Sequence, residues 1–430
     1  MLDLRRIRTE TEAVAAELDR RGPGTSAPIA HIVELDAEQR RLGGERDEVR
    51  QRIKALSKQV GRLRGQGQAD EAEGLMAESR HLGQREKQLD TEADRLADEV
   101  RGLLLRVPNT PSAEAPDGAG EGDNVVLRTE GHDADVYGEH QRVPHWEIGE
   151  QLGIIDGERA TKISGSMFTM YRGWGARLLR AMIGLSLDRN ADAYEEVRPP
   201  TLVLTDTMTA TGHLPKFADD AYHVERDDLW TIPTAEVPLT SLHRDEILAE
   251  ADLPRRYMAY TSCFRREAGS AGKDTRGLLR SHEFDKVELL AVAAGDEQAI
   301  ACQEDVLARS EALLRELGLA YRVVDLCAGD LGGSAARTWD IEAYAPGADM
   351  WLEVSSVSWF GDYQARRANI RLRPTGGGAT RVAQTVNGSA MGWPRTVAAY
   401  LETHRQPDGS IGVVEALRPY LGGAMRIPAR

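Results

Sequence analysis

Residues 261–288 read TSCFRREAGSAGKDTRGLLRSHEFDKVE. An apolar and β-branched run breaks into the small, glycine-rich AGSAGKDTRG and then resumes, which predicts a strand, a loop and a returning strand. The stretch gathers Arg265, Arg266, Lys273, Arg276, Arg280, His282 and Lys286 beside Glu267, Asp274, Glu283, Asp285 and Glu288. Arginine keeps its charge when partly buried and offers forked donors that fit phosphate oxygens, so arginines on both arms suit a polyphosphate. Phe284, four residues after Arg280, is placed to stack on a base. The other reading of such a hairpin is a solvated surface of mixed charge.

Outward from this hairpin, strand-like runs cover Val197–Thr205, Tyr257–Phe264, Val287–Val292, Tyr321–Leu326 and Met350–Ser358. Helical patterns cover Trp174–Asp188, Glu297–Leu317 and Arg395–Thr403. Strands cluster with helices and do not alternate regularly with them. That predicts an α+β fold, an antiparallel sheet flanked by helices. No GxGxxG follows a strand and no GxxxxGK[ST] occurs, so a nucleotide would not sit on a standard glycine-rich phosphate loop.

Two further segments carry chemistry. Met350-Trp351-Leu352-Glu353-Val354-Ser355-Ser356 sets a carboxylate and a hydroxyl three residues apart. Both are hard oxygen donors suited to Mg²⁺ that also binds phosphates; the alternative is a paired, edge-exposed carboxylate. Asn387-Gly388-Ser389-Ala390-Met391-Gly392-Trp393-Pro394-Arg395-Thr396 brings Asn, Ser and Arg together where a strand turns into a helix.

The N-terminal part has a different texture. Ile32, Leu35, Leu42, Val49, Ile53, Leu56, Val60 and Leu63 recur at steps of three, four or seven, and Leu75, Leu82, Leu89, Leu96 and Leu103 recur every seven, on either side of Gly65-Gln66-Gly67-Gln68. Two such runs joined by a short turn predict an antiparallel coiled coil with arms of ~50 Å. Its first helix carries Arg40, Arg41, Arg46, Arg50, Lys54 and Lys58, and its second is mostly acidic. These charges describe either ordinary interhelical pairs or a basic stripe that grips a phosphate backbone. Residues 108–123 (PNTPSAEAPDGAGEGD) read as a linker. The expected domains are therefore 1–107, a linker at 108–123, and 124–430.

Composition sets the outer bounds. With 54 Lys+Arg against 69 Asp+Glu in 430 residues, the net charge of −15 disfavours a blanket nucleic-acid binder. Three scattered cysteines make neither a disulfide framework nor a zinc site. No apolar run approaches the ~18–20 residues of a membrane span, and the charged N-terminus has no apolar signal core. These features lead to an expectation of a soluble, cytoplasmic protein without zinc.

FRREAGSAGKDTRGLLRSHEFDKVEL strongly resembles the second signature motif of bacterial-type seryl-tRNA synthetases. NGSAMGWPRT with LRPYLGG resembles their third motif and C-terminus, GHLPKF…IPTAEVPLTSL their serine-binding segment, and the strand around 197–200 their first motif. HWEIGEQLGIIDGERATKISGS, the hairpin and MLDLRRIR also match, so the resemblance spans nearly the whole chain. It implies a class II synthetase domain with an N-terminal coiled-coil arm. The implied enzyme is a serine–tRNA ligase acting on L-serine, ATP and tRNA(Ser), as a homodimer with Mg²⁺ and no membrane attachment. Carried over by motif position, Arg265, Arg280 and Arg395 are catalytic. Arg265, Arg266, Glu267, Arg280, Phe284, Glu353, Val354, Ser355, Ser356 and Arg395 bind ATP, with Glu353 and Ser356 on the metal. Thr234, Ala235, Glu236, Arg265, Glu288, Asn387 and Ser389 line the serine pocket. Arg40, Arg41, Arg46, Arg50, Lys54 and Lys58 face the long variable arm of the tRNA.

The chain departs from the family pattern at Val357 and Trp359, at Met391-Gly392-Trp393, and at the Gly376-Gly377-Gly378 turn. Two readings stand: repacking in a divergent lineage, or a specialised second synthetase that tolerates a serine-like inhibitor or serves a biosynthetic pathway. Outside tRNA charging, an amino acid:carrier-protein ligase is the rival enzyme, and an inactive scaffold the rival non-enzyme.

Overall fold

The structure is a computed structural model that describes residues 1–268 and 276–430. Lys273 and Asp274 of the charged cluster, and most of the expected loop, lie outside the described residues. The chain divides into two compact units, one of Leu2–Asp19 and Pro23–Val107, the other of Met1, Arg20–Gly22 and Pro108–Arg430.

In the smaller unit, α1 (Pro28–Gly65) and α2 (Ala69–Leu104) form the hairpin. Gly67, at φ +77°, supplies the left-handed residue of the turn. Leu42, Leu89, Ala93 and Leu96 are buried in the seam, with Leu35 and Val49 packed against them. At the base, Arg8 grips the buried Asp36 with two bonds of 2.8 and 2.9 Å. The second helix shifts slightly from its leucine heptad: Val100 and Leu104 are buried, while Leu103 is only half-buried.

The larger unit is built on an eight-stranded sheet. Its strands are β1 (Val125–Glu130), β2 (Glu195–Glu196), β3 (Arg255–Phe264), β4 (Glu283–Ala293), β5 (Tyr321–Asp325), β6 (Arg337–Ala345), β7 (Met350–Trp359) and β8 (Gln384–Gly392). Their spatial order is β1-β5-β6-β7-β8-β4-β3-β2. Every pairing is antiparallel except β2 with β3. The expected α+β class with an antiparallel sheet is therefore what forms. β4 reads VELLAVA toward its end because both faces are covered. Val287 and Leu289 join one core with α3 (Trp174–Asn190) and α5 (Trp393–Thr403), while Leu290 and Val292 join a second with Tyr257 and Ile370. A further helix, α4 (Asp296–Glu316), packs Ala299 and Cys302 against Ala291 and Val386.

Two expectations change. The single strand expected over 197–205 shrinks to Leu202–Leu204, with β2 ending just before it at Glu196, because Pro199 and Pro200 have no N–H to give a ladder. Residues 108–123 are packed rather than free. Asn109 is buried and donates to the carbonyls of Ser334 and Phe360, and Ala115 lies in a core with Val324, Leu326 and Phe360. Their Pro and Gly content follows this close fit; a Cβ on Gly118 would meet Cys327 at 2.8 Å.

Candidate active site

β3 and β4 run side by side from Arg255↔Val292 to Phe264↔Glu283, so the residues just beyond their paired ends meet at one rim of the sheet. Side chains two apart share a face. Phe284, Lys286 and Glu288 therefore point the same way from β4, and Arg265 follows β3 on that side. Across the next pairing, Ser389 of β8 stands opposite Glu288. A cavity opens here, lined by Arg265, Glu267, Arg280, Phe284, Glu353, Val354, Ser355, Ser389 and Arg395, with Lys286 on its floor.

The cations of the cavity are held in two ways. Arg280 donates to Glu267 Oε2 at 2.6 Å, and Arg395 donates to Glu353 Oε2 at 3.2 Å and from Nε to the Leu279 carbonyl at 3.1 Å. Arg265 lies over the Phe284 ring, 5.2 Å from its centroid, is exposed, and makes no ion pair among the described residues. One guanidinium is thus available to an incoming anion, and two are fixed by carboxylates that tune their reach.

The carboxylate–hydroxyl pair on β7 depends on a bulge. Ser355 faces Ile341 and Glu353 faces Glu342, which leaves Val354 as the extra residue. Glu353 and Ser356, three apart in sequence, therefore share the face of Glu342 and Asp340. Asp340 Oδ1 is a buried oxygen without a hydrogen-bond partner. Burial, and next the charge of Glu353, push the Asp340 carboxyl well above the usual carboxylate range, while a hydrogen bond from Ser356 acts the other way. Crowded acids with an orphaned oxygen are an environment that a hard divalent cation fits. Among the described residues no three His, Cys, Asp or Glu side chains are placed to hold a metal by themselves. A cation here would need further oxygens from a phosphate.

Behind Lys286 and Ser389 lies a buried polar nest. Lys286 donates to Thr234 Oγ1 at 2.7 Å and forms an ion pair with Glu288, which also accepts from Thr234 at 3.3 Å. Glu236 accepts from Gln364 Nε2 at 2.6 Å, and Thr385 donates to Gln364 Oε1 at 2.7 Å. Thr234, Ala235, Glu288, Asn387 and Ser389 are all buried. Burial raises the carboxyls of Glu236 and Glu288 above the ordinary glutamate value, opposed in both cases by Lys286. His213, bonded to Thr211 at 2.7 Å, is pushed down to about 3 by burial and then by Arg265, Lys286 and Arg367. It stays neutral beside the cations.

Two of the residues expected at an ATP site fall outside the cavity lining: Ser356, which stands opposite Asp340 on β6, and Arg266. Arg266 donates from Nη1 to the Asp219 carbonyl at 2.9 Å. The reason is alternation: next to Arg265, it projects the other way. Lys286 is the residue that sequence reading left without a role, although its spacing of two from Phe284 and Glu288 was a usable signal. The two divergent tryptophans do not line the cavity either. Trp359 packs with the core of Ala291 and Val386 and donates to Gln384 at 2.8 Å; Trp393 is 1% exposed in the main core.

On the arm, the expected basic stripe is largely neutralised. Arg40 pairs with Asp36, Arg41 with Glu38 and Glu45, Arg46 with Asp47 and Asp90, and Arg50 with Glu86. Lys54 and Lys58 are exposed and make no ion pair among the described residues.

Residues 222–404 match the family described as tRNA synthetase class II core domain (G, H, P, S and T), and residues 1–111 match the seryl-tRNA synthetase N-terminal domain. The chain is 46% identical over 429 residues to the serine–tRNA ligase of Citrifermentans bemidjiense, covering 99% of this chain and 100% of that one. It is 47% identical over 425 residues to that of Synechococcus elongatus, covering 98% of each. The crystal structure of seryl-tRNA synthetase from Pyrococcus horikoshii complexed with ATP superposes with a TM-score of 0.93 at 34% identity, over 100% of both chains.

Proposed function

The chain belongs to the seryl-tRNA synthetase family, and we propose that this serine–tRNA ligase does its chemistry in the cavity between Arg265, Arg280 and Arg395. L-Serine and ATP give seryl-adenylate and pyrophosphate, and the seryl group then passes to the 3′ end of tRNA(Ser). In the first step a serine carboxylate oxygen bonds to the α-phosphorus. The bond from that phosphorus to the bridging oxygen breaks, and pyrophosphate leaves with the electron pair.

The observation that carries this reading is Arg265. An exposed guanidinium with no acidic partner among the described residues stands between the polar nest and the fixed arginines. It bridges two anions that otherwise repel, the serine carboxylate and the α-phosphate, and meets the charge that builds in the transition state. Glu267 contacts the adenine amino group and holds Arg280. Arg280 and Arg395 take the outer phosphates of a bent ATP, with Phe284 and Arg395 enclosing the adenine, and Val354 and Ser355 forming the wall. Arg266 supports the site from outside by anchoring the Asp219 turn.

Glu353 and Ser356 would hold Mg²⁺ together with phosphate oxygens. Bound there, the ion supplies neutralisation of the polyphosphate charge. The pairing of Glu353 with Arg395 ties that position to the arginine cradle.

The nest provides two carboxylates, Glu236 and Glu288, against one ammonium, Lys286, and so leaves one negative charge for the substrate's ammonium. Thr234, Asn387 and Ser389 surround it, and the Ser389 hydroxyl reads the substrate's hydroxyl. A pocket built to hydrogen-bond that hydroxyl rejects alanine, because its own buried groups would be left unpaired.

Residues 1–107 serve as the tRNA-binding unit, with 124–430 catalytic. Of the six cations expected to face the tRNA, Lys54 and Lys58 have no ion pair among the described residues and are open to phosphate, and contacts of this kind follow backbone and shape more than base edges. A homodimer in the cytoplasm completes the proposal; among the described residues no helix is long and apolar enough to cross a membrane. The N-terminal match disfavours a carrier-protein ligase, which lacks such an arm. No observation favours a specialised paralogue, since neither Trp359 nor Trp393 lines the cavity. Charging of a tRNA(Ser) transcript with serine, but not with alanine or threonine, tests the assignment. Alanine charged at a comparable rate would contradict it.

A further inference from the structure

The returning root of the arginine loop, Gly277–Arg280, is held from behind by groups that touch no substrate position. The Leu278 N–H donates to His145 Nε2 at 3.0 Å. That acceptor role places the imidazole proton on Nδ1, which donates to Glu402 Oε1 at 2.7 Å. Both side chains are completely buried. Glu402 Oε1 also accepts from the His145 backbone N–H at 2.8 Å, and its Oε2 accepts from the Gly347 and Ala348 N–H groups at 2.8 and 3.1 Å. Every hydrogen bond of the pair is thus directional, and the imidazole has one tautomer.

A second feature points to the same contact. Gly277 sits at φ +63°, and a Cβ there would lie 2.3 Å from His145 Nε2 and 3.2 Å from Trp146 Cβ. The loop root is pressed onto the imidazole so closely that only glycine fits. Two residues further on, the Leu279 carbonyl accepts from Arg395 Nε, and Arg280 follows directly. Glu402 lies near the end of α5, whose first turn carries Arg395. The chain Glu402–His145–Leu278 therefore joins the far end of α5, the start of helix His145–Leu152 and the root of the loop.

We propose that His145 and Glu402 are positioning residues for ATP. They fix the height of Leu278–Leu279, and through it the reach of Arg280 and the anchor of Arg395. This rests on the reading of those two arginines as phosphate ligands. A backbone shift of about 1 Å at such a point is enough to cost up to 10²-fold in a catalytic step.

Two substitutions separate the links. In His145→Gln the side-chain amide oxygen stands near the Nε2 position and accepts from Leu278, while Glu402 keeps the backbone N–H. In His145→Asn the amide reaches only the Nδ1 position, so it serves Glu402 and abandons Leu278. The measurement is serine-dependent ATP–pyrophosphate exchange, with KM for ATP and for serine taken separately. His145→Gln is expected to stay within about threefold of the parent in KM for ATP, and His145→Asn to raise it about tenfold or more, with KM for serine little changed in both. Equal KM values for ATP in the two variants, or a parallel rise in both KM values, would overturn the proposal. Arg280→Ala is run beside them. If it leaves KM for ATP unchanged, the phosphate reading fails; if it raises KM while the His145 variants agree with each other, only the clamp fails. Should neither His145 variant fold, Gly277→Ala keeps the His145–Glu402 pair and displaces the loop root alone. A raised KM for ATP then supports the clamp, and an unchanged one overturns it.

Discussion

Lys286 donates from Nζ to Thr234 Oγ1 at 2.7 Å while it pairs with Glu288, and this one ammonium balances half of the negative charge in the proposed serine pocket. Glu236, half-buried and bonded to Gln364, supplies the rest. The pocket is therefore tuned to a single substrate ammonium, and its affinity must follow the ionisation of the two carboxyls.

The pH dependence has a definite sign. Burial raises both carboxyls above the ordinary glutamate value of 4.5. As pH falls they take up protons before an exposed glutamate would, and the pocket loses its attraction for the ammonium. KM for serine should rise on acidification starting above the ordinary glutamate range, with KM for ATP less affected. For stability the direction reverses: these raised groups favour the folded state most at low pH, and that contribution is lost as pH rises through their folded values. A KM for serine that is flat down to pH 4.5 would remove both carboxyls from serine binding.

Arg265→Ala should lower the exchange rate by about 10²- to 10³-fold or more, because no neighbouring cation then bridges the two anions. Arg265→Lys should recover only part of the rate, since a point charge lacks the fork that spans two oxygens. Steady-state exchange in the two variants checks this, and a near-normal rate in Arg265→Ala would refute the assigned role.

Removal of about residues 27–104 should leave serine-dependent exchange within a few-fold of the parent and abolish tRNA charging, as the larger unit is compact by itself. Within the intact arm, Lys54→Ala with Lys58→Ala should weaken charging more than Arg41→Ala, whose guanidinium is occupied by Glu38 and Glu45. Exchange and charging lost together on deletion would make the arm structural.

Trp393→Val should cost about 3 kcal/mol or more of stability, the magnitude typical of large-to-small changes at a side chain only 1% exposed. Trp359→Asn should leave inhibition by seryl-adenylate analogues unchanged, because Trp359 packs away from the cavity. Thermal unfolding and inhibition curves test the pair of statements.

The sequence made the fold and most of the cavity legible for a physical reason. Period-seven leucines and the Gly67 turn are local, and the period-two face of Phe284, Lys286 and Glu288 is local as well. What it hid is long-range. His145 and Glu402 are 257 residues apart, and nothing in either neighbourhood announces the pair. The bulge that turns Glu353 and Ser356 to one face depends on the partner strand β6, so a spacing of three was readable while its consequence was not. Arg41 and its neighbours looked like a free basic stripe because their acidic partners lie one turn away or on the opposite helix.

The most direct test is ATP–pyrophosphate exchange with purified protein and a panel of amino acids. Exchange that depends on serine, with alanine and threonine far weaker, is the result expected of a cavity in which guanidinium groups bring ATP and a hydroxylated amino acid together. Absence of exchange with serine, or equal exchange with alanine, would contradict it.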